Sequence, residues 1–82
     1  MQQLPDAAWW ARARQARDQL AARYLTHPDV SLIDIGDDPL GLSSLPVLRI
    51  HLRRGDGSDL LLPTEIASIP VRVIRGDYRP AG

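Results

Sequence analysis

One change of period organises this chain. Up to Thr26 the apolar residues recur at helical spacing; from Val30 onward they alternate, and His27-Pro28 stands between the two regimes. Proline turns the preceding residue away from helical geometry, so the first regime must end there. The stretch 6–26 therefore reads as a helix. Asp6 is its expected N-cap, with a carboxylate placed to accept from the free amides of the first turn. At 100° per residue, Trp9, Ala13, Ala16, Leu20 and Tyr24 share one stripe. Trp10, Ala21 and Leu25 widen its flank. Arg12, Gln15, Gln19 and Arg23 lie on the other side. Arg17 falls near the stripe, where its stem can cover apolar surface while its head reaches water.

The second regime predicts strands. Val-Ser-Leu-Ile-Asp-Ile over 30–35 is the first, ended by Gly36-Asp37-Asp38-Pro39, which has turn chemistry throughout. Residues 40–46 read as a loop. The stretch 47–54 is the cleanest strand. Leu48, Ile50 and Leu52 point one way, while Val47, Arg49, His51 and Arg53 point the other, as in a sheet with one wet face. Residues 55–59 read as a turn or short loop, and 60–62 as a short strand or buried turn. Pro63-Thr64-Glu65-Ile66 suggests a turn of helix with proline at its start. Alternation returns over 69–75, and the tail 77–82 is expected to be flexible.

Helix, strand, strand, short turn element, strand is the order of an α+β fold. We expect one N-terminal amphipathic helix packed on a small, mostly antiparallel sheet of three to four strands. The length of 82 residues leaves room for a single domain spanning 1–82. A domain this size buries only about 60% of its unfolded surface, so stability is marginal. Apolar residues make up 44% of the chain, which argues against disorder. No apolar run approaches the roughly 18 residues of a membrane span. Nor does the N-terminus carry the basic and apolar regions of a signal peptide, which leaves the cytoplasm as the expected location.

Composition removes several chemistries. With no cysteine there is no disulfide framework, thiolate nucleophile or cysteine-ligated zinc. All 10 basic residues are arginine, while lysine, asparagine and phenylalanine are absent. The absent types share AT-rich codons, which points to a GC-rich genome rather than to selection for arginine chemistry. The formal net charge is zero, against a dedicated polyanion binder. His27 and His51 lie in different elements, and no spacing resembles a zinc site or a phosphate-cradling loop. His27, at the helix end, is placed to meet free carbonyls. Gly41-Leu42-Ser43-Ser44-Leu45 lacks the second glycine of a nucleophile elbow. Asp34, Asp37, Asp38, Asp56 and Asp59 read as turn formers, without the pattern of a calcium loop. Arg54-Gly55-Asp56 and Arg75-Gly76-Asp77 repeat an adhesion tripeptide, but Gly-Asp also suits a strand end. No catalytic residue, metal site or cofactor is expected.

Two clusters remain. Arg49, His51 and Arg53 project from one strand face, and Arg72 joins them if the last strand is in register. Such a stripe can take an anion, although no aromatic residue interleaves with it as in single-strand binders. The second cluster is Trp9 and Trp10, which diverge by 100° and cannot both face the core centre. One packs inside and the other edges the helix–sheet seam, where a half-exposed tryptophan, with Arg17, can anchor a partner.

The run from Leu25 to Gly36 (Leu-Thr-His-Pro-Asp-Val-Ser-Leu-Ile-Asp-Ile-Gly) resembles a segment of a diffuse group of small, uncharacterised bacterial modules. These occur alone or N-terminal to trypsin-like peptidase domains. Leu48 to Leu52 resembles their second strand, and Leu62 to Ile74 their closing "LP-x-x-I-x-x-hP-h-x-V-I" pattern, where h is apolar. The likeness covers about residues 20–78 and implies a fold rather than an activity. Ala67-Ser68 stands where those modules carry Asp-Gly. Ser31 and Asp34 replace small or apolar residues. No peptidase domain follows in this sequence, so none of that chemistry transfers.

The functional expectation is a non-catalytic module that binds another protein or itself, with homodimerisation invited by free sheet edges. The alternative is weak anion or nucleic-acid binding through Arg49, His51, Arg53 and Arg72. A membrane partner is not expected.

Overall fold

Asp6 starts the helix as its chemistry predicts. In the computed structural model, which describes residues 5–75, the Trp9 amide donates to the Asp6 carboxylate at 2.8 Å. Helix α1 then runs Ala7–Tyr24. Its far end comes two residues before the predicted limit of Thr26, with Leu25 as C-cap donating to the Ala21 carbonyl. The expected stripe packs inward. Ala13, Ala16 and Leu20 are buried, and Trp9, Ala21 and Tyr24 pack against the same core. Leu25 does not join them: it sits past the helical turn and is 47% exposed. The His27 ring does not cap a carbonyl either. Its Nδ1 accepts from the Asp29 amide at 3.1 Å, which tightens the turn before the first strand.

The remaining elements are β1 (Val30–Gly36), β2 (Val47–Leu52), a 3₁₀ turn (Ser58–Leu60), β3 (Glu65–Ile66) and β4 (Ile69–Arg75). They form a four-stranded sheet in the order β1-β2-β4-β3. β1 and β2 are antiparallel, β2 and β4 parallel, and β4 and β3 antiparallel. The parallel pair requires a crossover, and residues 53–68 supply it. The result is the expected α+β architecture, one helix on a mostly antiparallel sheet. No helix among the described residues is long and apolar enough to cross a membrane.

Two features depart from simple alternation. Register slips between Val30 and Leu32, so that Ser31 and Leu32 both stand opposite the neighbourhood of His51. This bulge puts Val30 and Ile33, three positions apart, on the same buried face. Residues 63–66 are not a turn of helix. Glu65–Ile66 pairs with Ile69 and Pro70 around Ala67-Ser68. Ile66 thereby packs against the core beside buried Ile69, which a lone helical turn does not offer. Pro70, with no amide to donate, pairs only with this short edge strand. Ala67 and Ser68 have φ of +53° and +67°, the left-handed region that favours Asp-Gly or Asn-Gly in such turns.

The core lies on one side of the sheet. Leu48, Ile50 and Leu52 of β2 meet α1 together with Val30, Ile33, Leu60, Ile69 and Val71. One helix is about 10–12 Å wide and strands are about 4.8 Å apart, so α1 covers two strands. It lies over β1 and β2. Val73 of β4 shares the core phase with Ile50 yet remains 38% exposed.

Candidate interaction face

The opposite side of the sheet carries the polar chemistry. Strand alternation and register set Asp34, Arg49 and Arg72 in one row across β1, β2 and β4. Leu32, His51 and Ile74 form the next row. The parallel register of β4 thus brings Arg72 beside Arg49. β2 ends at Leu52 rather than at Arg54, because the chain turns there and Gly55 takes a φ of +77°. Arg53 consequently leaves the row. Its Nη2 donates to the Val30 carbonyl at 3.3 Å.

Each arginine of the row meets a carboxylate. Arg49 grips Asp34 with two parallel bonds, Nε to Oδ1 at 2.9 Å and Nη2 to Oδ2 at 2.6 Å. Such forks are the strong form of carboxylate recognition. His51 Nε2 lies 3.0 Å from the same Oδ1. The Arg49 hydrogen bond is the main cause that holds the Asp34 carboxyl below the usual carboxylate range, against the opposing effect of burial. Asp34 in turn raises the Arg49 guanidinium. Gly36 leaves room for this pair, since a Cβ there would collide with the Arg49 guanidinium.

Arg72 is held by Asp38, Nε to Oδ1 at 3.0 Å and Nη2 to Oδ2 at 3.4 Å. Asp38 follows β1, whereas Arg72 is on β4, with β2 between them. The loop after β1 must therefore fold back over the face. Fully buried Val47 lies outside the core cluster, and alternation places it on this side of β2, at the loop's end. Asp38 also organises the loop, accepting from the amides of Leu40, Leu42 and Ser43 at 2.9, 3.1 and 3.0 Å. Loop and guanidinium wrap its carboxyl out of solvent contact. The Arg72 hydrogen bond, against the opposing effect of burial and helped by the Leu40 and Ser43 amides, lowers its pKa to about 2. The loop held by Asp38 displays Leu40 and Leu42, 63% and 77% exposed.

Asp34 and Asp38 are the residues that reading the aspartates as turn formers understates. Asp38 does form a turn, but it also clamps a distant strand. Asp34 forms none. The signal for Asp34 was its position between Ile33 and Ile35, where a charge inside a strand needs a partner. The other anticipated interface group lies elsewhere. Trp9 and Trp10 stack edge to face on α1, with ring centres 5.1 Å apart and planes at 89°. Trp9 packs on the core and both are half-buried. Arg17 binds its neighbour Asp18 through Nη2 at 3.0 Å. These three residues belong to the helix layer, not to the open sheet face.

Compared with protein families, with curated proteins and with solved structures, the chain matches none. The likeness to small bacterial modules therefore rests on the sequence pattern alone.

Proposed function

We propose that this protein is a non-catalytic interaction module that binds another protein, or a second copy of itself, through the open face of its sheet. One observation carries the reading: Arg49 and Arg72 are already matched by Asp34 and Asp38, while Leu32, Leu40 and Leu42 stand exposed around them. A partner can cover such a face without stranding a lone charge, which is the condition for burying ions in an interface. The Asp38 hub keeps the loop in shape, so little ordering entropy opposes docking.

Anion or nucleic-acid binding is the competing reading. It requires Arg49 and Arg72 to exchange their carboxylates for phosphate, with Arg53 displaced from the row.

Sedimentation of the pure chain at rising concentration, and capture from the host lysate with and without nuclease, separates the two. The expected result is a dimer, or a protein retained at near-equal stoichiometry after nuclease. Leu32→Glu should abolish either one while leaving the circular dichroism spectrum intact. Retention that disappears with nuclease or moderate salt would transfer the function to the arginines. A monomer that retains nothing would remove the proposal.

A further inference from the structure

A second cluster lies away from the open face. The turn after α1 and the connection after β2 meet where the Arg53 amide donates to the Asp29 carbonyl at 2.8 Å. Buried Leu60 anchors the 3₁₀ turn that holds Asp59. This convergence places a His27 ring nitrogen and carboxylate oxygens of Asp29 and Asp59 within 4.8 Å of one another. We propose that His27, Asp29 and Asp59 bind a first-row divalent metal ion of the zinc type.

The donor set argues for that class. One imidazole with two carboxylates suits zinc, manganese, cobalt or nickel, whereas calcium and magnesium favour oxygen alone. Three protein ligands leave a coordination position for water. Ligands bonded to one ion at about 2.0–2.2 Å lie about 3–4 Å apart, so binding would draw these donors about 1 Å closer, and Asp59 is exposed and has room to move.

The local charges also point to a cation. Two carboxylates face each other here, and the cation beside them is Arg54, with Nε 3.5 Å from Asp29 and a side chain 75% exposed. Asp59 has no ion pair among the described residues. The Asp29 amide donates to His27 Nδ1, so that nitrogen is the unprotonated one of the ring. Coordination through Nδ1 would displace the Asp29 amide from that lone pair and leave Nε2–H as the ring's donor. The sequence hides the site because its third donor belongs to a different element.

A bound ion would fasten the α1–β1 turn to the β2–β3 connection and stabilise the native state by mass action. The test is calorimetric titration of the tag-free full chain with zinc chloride, alongside its thermal midpoint with and without zinc. Wild type should take up one ion per chain and melt at a higher temperature. Asp59→Asn, at an exposed position, should fold normally, bind at least tenfold more weakly and lose the zinc-dependent rise. His27→Gln should do the same, and Glu65→Gln, an exposed acid on β3 outside the cluster, should behave as wild type. No saturable uptake by wild type, or full affinity in Asp59→Asn, would overturn the site.

Discussion

The two faces of the sheet solve opposite problems with the same strands. Along β2, Leu48, Ile50 and Leu52 face α1 and are almost fully buried, while Arg49 and His51 face away and remain partly open to water. The core face holds by exclusion of water, which is non-directional and tolerates many apolar contacts. The open face holds by geometry. Each guanidinium there needs its carboxylate at the right row and distance, and each carboxylate comes from a different place in the chain. A shape defect should therefore damage the first face, and a charge defect the second.

The largest effect is expected in the core. Ile50 is fully buried at the centre of β2, so Ile50→Ala removes packing and leaves a cavity, at a cost of about 2–5 kcal/mol. In a small domain with marginal stability that is a large share of the total. Urea denaturation monitored by circular dichroism checks it. A loss below about 1 kcal/mol would mean that the face collapses freely and is not closely packed.

A smaller effect should follow on the open face. Asp34→Asn removes one charge and leaves Arg49 and His51 facing an amide. The Asp34 and Arg49 side chains are 29% and 25% exposed, so solvent screens part of the loss, and about 1–2 kcal/mol is expected. A double-mutant cycle with Arg49→Met isolates the pair. The double variant should recover part of the loss, because no lone charge remains under the loop. Strict additivity of the two single changes would show that Asp34 and Arg49 act independently, and the contrast between the faces would fail.

The same contrast explains what the sequence makes legible. Helix α1, the three long strands and most of the core follow from period and capping, because burial writes itself into spacing. The β1 bulge does not, since its residues are ordinary strand formers and the slip appears only when Val30 and Ile33 must share one core. The hairpin of β3 and β4 hides behind Ala67-Ser68, residues without a preference for the left-handed backbone they adopt. On the open face, the cationic side chains are visible from alternation and their neutralisation is not. Asp38 reaches Arg72 across β2 through a loop whose path depends on strand order, and the sequence leaves strand order open.

Acid should separate the faces most finely. The Asp34 carboxyl is lowered chiefly by Arg49, and Asp38 chiefly by Arg72, the latter to about 2. A carboxyl held below its unfolded value contributes stability above that value and loses it as pH falls through the folded one. The open face should thus weaken between about pH 4 and pH 2, while burial of Ile50 and Leu48 has no charge to titrate. Thermal midpoints across that window should fall for wild type. Asp38→Asn should start lower at neutral pH and fall less steeply, because one of the titrating clamps is already absent. Ile50→Ala should start lower still but keep the wild-type slope. Parallel slopes for wild type and Asp38→Asn would show that the loop clamp adds no acid-sensitive stability. The open face would then owe its shape to backbone bonds within the loop rather than to Arg72.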